Sequence, residues 1–366
     1  MSFLLSRMGR YVISRVIGGI LVALIAVLAS ILLIDFVEQM RTVGTRADIG
    51  ALDALRLTLL KTPMLIEQTL PFVTLAGAMM ANIGLNRSSE LVAMRAAGIS
   101  AWKFLTPAVF IGFLLGLLVV TALNPLGARL YREFEAEKSD ALSSFAGGPG
   151  QNGIWIRQGD RDGQVVIHAD SVDPSGTTLQ GATFMFFEVR DDALRFARRM
   201  RAETAQLRPG FWQLTDLVEA TPGGRPVRHS HLAIPTTLDA TEMLNRFVTP
   251  ASLSFWELPG FISDARTAGF APTRYELKWQ SLLAYPLLLA VMAAVGAAFS
   301  LQLQRLGNLA RWGAMGVTIG LVLFFYSQLA GAFAITQSVP AIVAAWSAPF
   351  AGMFIALAMV AFLEDG

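Results

Sequence analysis

Three histidines, His168, His229 and His231, are the chain's only imidazoles. His229 and His231 are spaced to share one face of a strand, which would offer two metal ligands. A zinc site takes three or four protein ligands, and no third stands near this pair, so the two read as strand surface. Cysteine is absent, which removes disulfides, thiolate nucleophiles and cysteine-based zinc sites. Neither a phosphate-cradling G-x-x-x-x-G-K-[ST] loop nor a G-x-S-x-G nucleophile turn occurs. Asp35, Glu67 and Lys278 fall in or beside apolar stretches but near their ends. There they read as interfacial or cavity-facing charges, or as a polar rim for an amphiphile's headgroup, and not as a proton relay. No catalytic residue, metal ligand or cofactor is therefore expected in this chain. Energy for any transport would come from another subunit or an ion.

The elements that carry these residues follow from composition. The chain is 54% hydrophobic and 15% charged, against roughly 25% charged in typical soluble domains. That balance points to an integral membrane protein, and a net charge of +2 gives no nucleic-acid signal. Six apolar runs are long enough to span a bilayer, at 11–37, 64–85, 102–123, 279–303, 312–333 and 339–363. The first is too long for a signal-peptide core and reads as an uncleaved helix. The expected fold is a polytopic α-helical membrane protein, three helices plus three, with an inserted all-β, jelly-roll-like domain.

Arg7, Arg10 and Arg15 precede or open run one, and Arg87, Arg95 and Lys103 lie between runs two and three. By the positive-inside rule both termini and residues 86–100 are expected in the cytoplasm, with the large polar segment outside. Arg41, Arg46, Arg56 and Lys61, between runs one and two, weaken that contrast. The expected division is 1–124 for the first three helices, 125–272 for the outer domain and 273–366 for the last three. Within the outer domain "IWIR", "QVVIHA", "ATFMFFEV", "LRFARRMRAETAQL" and "FWQLTDLVEA" read as strands separated by turn sequences such as "DPSGT" and "TPGGRP". "LSFWELPGFISDARTAG" reads as an amphipathic helix interrupted at Pro259. The GxxxG spacings at Gly112/Gly116 and Gly316/Gly320 permit close helix approach, as ordinary bundle packing or as a dimer seam.

Residues 86–100, "NRSSELVAMRAAGIS", are patterned as a short helix of about 88–98. Ser88 or Ser89 can cap its first turn, Glu90 sits where the helix dipole favours negative charge, and Gly98 can end it. Leu91 and Met94 share a face rimmed by Arg87, Glu90 and Arg95. So short a helix is marginal alone in water. It needs a groove on a partner or, alternatively, a lipid surface.

"RSSELVAMRAAGIS" resembles the cytoplasmic coupling-helix motif of the LptF/LptG permeases, which export lipopolysaccharide. "FVEQMRTVG", "GIWIR" and "TRYELKWQSLLAYP" resemble the LptG branch, and the likeness spans nearly the whole chain. The resemblance implies an ABC-type permease subunit in the bacterial inner membrane. It would pair with an LptF-like permease and an LptB ATPase dimer that binds ATP and Mg. The permeases would take lipopolysaccharide from the outer leaflet and pass it through jelly-roll domains to LptC and a periplasmic bridge. Arg87, Ser88, Glu90, Leu91, Met94, Arg95 and Gly98 would contact the ATPase. Phe36, Arg41, Arg46, Phe324 and Phe325 are expected to line the substrate cavity. Phe184, Phe186 and Val189 are expected along the lipid path of the outer domain, or in that domain's own core. Asp35 stands where the LptG pattern often has a basic residue, so no phosphate contact is assigned to it. The alternatives are the LptF-type half, a mechanotransmission-type permease, which usually has fewer membrane helices, and a membrane lipid enzyme, which would need a polar cluster at one membrane face.

Overall fold

The computed structural model describes residues 6–44, 50–87, 90, 93–94, 97, 100–145, 154–159, 163–172, 178–190, 193–208, 210–236, 248–267, 271–306 and 309–365. The chain divides into two compact units: Met1–Lys138 with Leu253–Leu258 and Thr273–Gly366, and Ser139–Ser252 with Pro259–Pro272.

The first unit is helical. Helix α1 is Arg7–Gln39, capped by Ser6, whose hydroxyl accepts from the Gly9 N–H at 3.0 Å. It ends in a π-helical turn, Met40–Gly44. Helix α2 is Ala51–Arg87, α3 is Ala101–Leu118, and a second π turn, Val119–Leu123, leads into α4, Asn124–Phe145. After the second unit's strands come α5, Leu258–Thr267, which from Pro259 on belongs to the second unit, and then, back in the first, α6, Thr273–Leu306, α7, Leu309–Ile335, and α8, Ala341–Asp365. Among the described residues, six spans are long and apolar enough to cross a membrane. They match the six runs, but several helices continue well past the apolar stretch. At about 1.5 Å per residue α2 is roughly 55 Å long, so its polar start, with Asp53, Arg56 and Lys61, lies beyond a hydrocarbon layer of about 30 Å. Residues from 51, read from sequence as a loop, are helical. The first helical block runs on to Lys138, where a boundary near 124 was expected. Polar composition hid both extensions, because hydropathy reports only the part of a helix that sits in lipid.

Helix α6 is the hub, packing on α2, α3, α7 and α8. Its apolar window is 72% buried, against 11% for α1 and 17% for α7. The core is Leu75 of α2, Val291, Met292, Val295 and Phe299 of α6, Leu323 of α7 and Ala356 of α8. Small residues set the approach distances. A Cβ on Gly112 or Gly116 would collide with the α6 backbone at Leu289 or Pro286. These two glycines are spent within the chain and not at a dimer seam. Gly316 and Gly320 likewise face Met79, Phe299 and Leu75.

The second unit is a seven-stranded antiparallel sheet, ordered β1-β2-β4-β5-β6-β7 with β3 also on β4. The strands are β1, Ile154–Gly159; β2, Gly163–Ala169; β3, Ser171–Val172; β4, Thr178–Arg190; β5, Ala193–Arg208; β6, Phe211–Ala220; and β7, Val227–Pro235. β3 had no counterpart among the expected strands, and β7 carries the expected strand surface at His229 and His231. The Thr236 hydroxyl, just past β7, bonds Gln158 of β1 at 2.6 Å, so the sheet rolls until its edges meet. Its buried side holds Ile167, Phe184, Met200, Trp212 and Leu214. Along one line the strands each insert a residue: Gly181 at φ +63°, Glu203, and Asp216 at φ +49°. Buried positions change parity there, from Leu179 to Ala182, Ala205 to Ala202 and Leu214 to Leu217. Because all three strands do so together, pairing continues in register and one side stays apolar.

Pro259 stands at the start of α5 and does not interrupt it. Ser254 and Glu257 form a capping box ahead of the helix: the Ser254 N–H donates to the Glu257 carboxylate at 2.8 Å, and the Leu258 N–H to the Ser254 carbonyl at 3.1 Å. Proline at an N-terminal helical position lacks an N–H that would have no partner anyway.

Candidate functional site

In the 86–100 segment, α2 continues through Arg87, and the chain is helical at Glu90, Ala93 and Met94. The Ala97 N–H donates to the Ala93 carbonyl at 3.0 Å, an i to i−4 bond. Met94 is buried and Glu90 half-buried. Ser88, Leu91, Arg95 and Gly98 lie outside the described residues, as does the side chain of Arg87. One contact was not foreseen. The Tyr11 hydroxyl of α1 donates to the Glu90 carboxylate at 3.2 Å, so the first turns of α1 and this segment meet at one end of the helical unit.

The expected cavity residues lie on two helices whose main packing partners differ, α2 for α1 and α6 and α8 for α7. Phe36 is half-buried on α1, and Arg41 is exposed in the π turn that follows. Phe324 is half-buried on α7, its ring 5.1 Å from Phe72 and 5.7 Å from Phe325, which is 66% exposed. Arg46 lies outside the described residues. Both helices keep long apolar faces uncovered, with Ile25, Leu33 and Ile34 on α1 and Val322, Phe325 and Leu329 on α7.

The charges near the membrane edge are paired. Asp35 accepts from Lys61 of α2 at 2.6 Å and from Gln39 at 3.5 Å. A cation thus stands beside Asp35, contributed by the polar N-terminal part of α2. Lys61 and Lys138 also approach the Phe134 ring of α4, at 5.9 and 5.5 Å. Glu67 of α2 pairs with Lys278 of α6 and accepts from the Asn124 side-chain amide of α4 at 2.9 Å. The Tyr285 hydroxyl donates to the Glu67 backbone carbonyl at 2.5 Å. Asn124 also accepts from the Phe255 N–H at 2.8 Å, next to the capping box. Arg132 of α4 bonds Glu257 at 3.3 Å. Burial pushes the Glu257 carboxyl up, but its bonds with Ser254 and the Arg132 charge outweigh this and hold it below the ordinary value. Four chain segments are thereby joined by one polar network. Of its members only the charges Glu67 and Lys278 stood out in the sequence.

In the second unit Phe184 is fully buried, its ring edge-on to Trp212 at 5.8 Å. It packs as core, and an acyl chain could reach it only if the sheet opened. Phe186 is half-buried beneath the Arg198 guanidinium, 4.6 Å from its ring centre. Val189 stands opposite Leu194 in the β4–β5 ladder, its side chain outside the description. His229 lies 3.5 Å from Glu219, and no cluster of three or more metal-ligating side chains occurs among the described residues.

Six membrane-spanning helices broken in the middle by an antiparallel sheet define a multi-pass membrane protein with an inserted β domain. The chain belongs to the lipopolysaccharide export system permease LptF/LptG family, whose model matches residues 10–361. It is similar to the lipopolysaccharide export system permease protein LptG of Haemophilus influenzae, 24% identical, with 93% of this chain and 94% of the relative covered. The LptG protein of Escherichia coli K12 is also 24% identical, over 92% of both chains.

Proposed function

We propose that this chain is the LptG-type permease half of a lipopolysaccharide exporter in the bacterial inner membrane. The observation that carries the reading is the family match across residues 10–361, together with relatives named LptG over nearly their whole length. Those names favour the LptG half over LptF.

The geometry supports the parts of this reading. Uncovered apolar faces on α1 and α7 suit a second permease, with a lipid-accepting cavity between the two chains. Phe36, Arg41, Arg46, Phe324 and Phe325 would face that cavity. The segment around Glu90, at the same end as Arg7, Arg10 and Arg15, is the cytoplasmic coupling helix, and both termini are cytoplasmic. Arg87, Ser88, Glu90, Leu91, Met94, Arg95 and Gly98 meet an LptB-type ATPase dimer, which binds ATP and Mg. The rolled sheet lies in the periplasm and hands lipid toward LptC and the bridge, with Phe186 and Val189 nearer that path than Phe184.

Purification in mild detergent should recover the chain with a second permease, an ATPase and bound lipopolysaccharide. The reconstituted complex should release lipopolysaccharide to a periplasmic acceptor only with ATP. Glu90→Ala should lower ATPase association or ATP-driven release while membrane insertion persists. Recovery of the chain without an ATPase, or release at the native rate without ATP, would overturn the proposal.

A further inference from the structure

The hydrogen bond between Tyr11 and Glu90 spans 79 positions of sequence and joins two separate parts of the helical unit. α1 is the least buried span, and the Glu90 segment lies between α2 and α3. The Tyr11 hydroxyl does not make this bond by default. Arg15, one turn further along α1, donates to it twice, from Nε at 3.0 Å and from Nη2 at 2.8 Å, and its guanidinium carbon lies 5.2 Å from the ring centre. A phenol oxygen has two acceptor sites and one proton to give, and a guanidinium can only donate. With both acceptor sites filled by Arg15, the single O–H is left for the Glu90 carboxylate. Donation to an ionised carboxylate is the stronger kind of hydrogen bond. The Ser6 cap starts α1 before Tyr11, so the tyrosine stands on formed helix and not on a frayed end.

We infer that Tyr11, oriented by Arg15, is a positioning residue that ties the coupling segment to α1, so that displacement of Glu90 moves the N-terminal end of α1. This rests on the reading of residues 86–100 as the coupling helix and adds a route for the motion. A helix of 33 residues is about 50 Å long and can carry a displacement at one end to the other. Its main packing partner is α2, and its apolar window is the least buried of the spans among the described residues. In this scheme Glu90 serves two neighbours, the ATPase on one side and α1 on the other. α1 also carries Phe36 and leads to Arg41, so the tie runs from the coupling segment toward the proposed cavity wall.

The test uses the full complex, reconstituted in vesicles, with ATP hydrolysis and lipopolysaccharide release measured together. Tyr11→Phe removes the hydroxyl and keeps the ring. It should leave the ATPase co-purifying and the melting temperature of the chain unchanged, while lipid released per ATP falls by about three- to tenfold, the range one hydrogen bond allows. Arg15→Met should lower the same ratio, because the hydroxyl loses its orientation. Combining Tyr11→Phe with Glu90→Leu should cost less than the two separate losses summed, since each removes the same hydrogen bond. A native lipid-to-ATP ratio in Tyr11→Phe, or losses that add fully, would overturn the tie while leaving the permease reading intact. An unaltered chain that binds no ATPase would overturn both.

Discussion

Glu67 and Lys278 carry opposite charges with side chains 12% and 28% exposed, which is too dry for either to stand alone comfortably. Removing one partner leaves a charge facing an amide, a phenol and helix walls. Lys278→Met should lower stability by about 2 kcal/mol, less than the roughly 3–5 kcal/mol of a fully buried pair because lysine keeps some access to water. Adding Glu67→Gln should restore part of that loss, and thermal unfolding in detergent would show it. Glu257 gives a separate test. Its carboxyl is held below the ordinary value of 4.5, so the folded state binds its proton less tightly than the unfolded state does. The stabilisation is complete above about pH 5 and drains away as pH falls through the folded pKa. The melting-temperature difference between the native chain and Glu257→Gln should therefore be constant from neutral pH to about 5 and shrink below 4. A difference that grows on acidification would contradict the assigned direction. The charges Asp35, Glu67 and Lys278 were visible in the sequence; their pairing was not, because pairing across helices depends on packing that one-dimensional spacing does not report.

At the scale of elements, the six spans and all the strands but β3 were legible, most because each carries its own hydrophobic period or turn chemistry. The polar ends of α2 and α4 were not, since nothing apolar marks a helix that leaves the membrane. Pro259 stands in the first turn of α5 and does not interrupt it, because proline breaks helices from inside but opens them from the first turn. The same logic separates the faces of the bundle. α1 and α7 expose apolar surface that the chain never covers, and α8 exposes surface of its own. Phe325 of α7 and Phe354 of α8 are matched probes, 66% and 65% exposed. A photo-crosslinking residue at Phe325 should capture lipopolysaccharide or the second permease, and one at Phe354 should capture neither. Equal capture at Phe325 and Phe354 would remove the basis for placing the cavity on α7. Packing glycines offer an independent check. Gly116→Leu should force α3 off Pro286 of α6 and destabilise by about 1–3 kcal/mol, with no effect confined to oligomeric state.

At the scale of the whole molecule, the chain is two compact units with separate interiors, a helical one built on α6 and a rolled sheet built on Trp212 and Phe184. Separate interiors allow separate loss. The roots of the insertion are held within the helical unit itself, by Asn124 to the Phe255 N–H and by Arg132 to Glu257. Those bonds do not depend on any strand, so the helical unit should keep its form without the sheet. Replacing residues 150–245 by a flexible Gly/Ser linker should give a chain that inserts in the membrane and melts near the native helical transition. It should also bind the ATPase, because Glu90 and Tyr11 lie within the helical unit and are untouched. ATP turnover should continue, while delivery of lipopolysaccharide to a periplasmic acceptor should stop, because the rolled sheet is the part proposed to hand lipid onward. The comparison that decides is delivery per ATP in vesicles carrying either the full chain or the shortened one. If the shortened chain delivers lipopolysaccharide at the native ratio, the sheet is not on the path and serves another purpose. If it inserts but no longer binds the ATPase, the independence of the helical unit argued from its own hydrogen bonds is wrong.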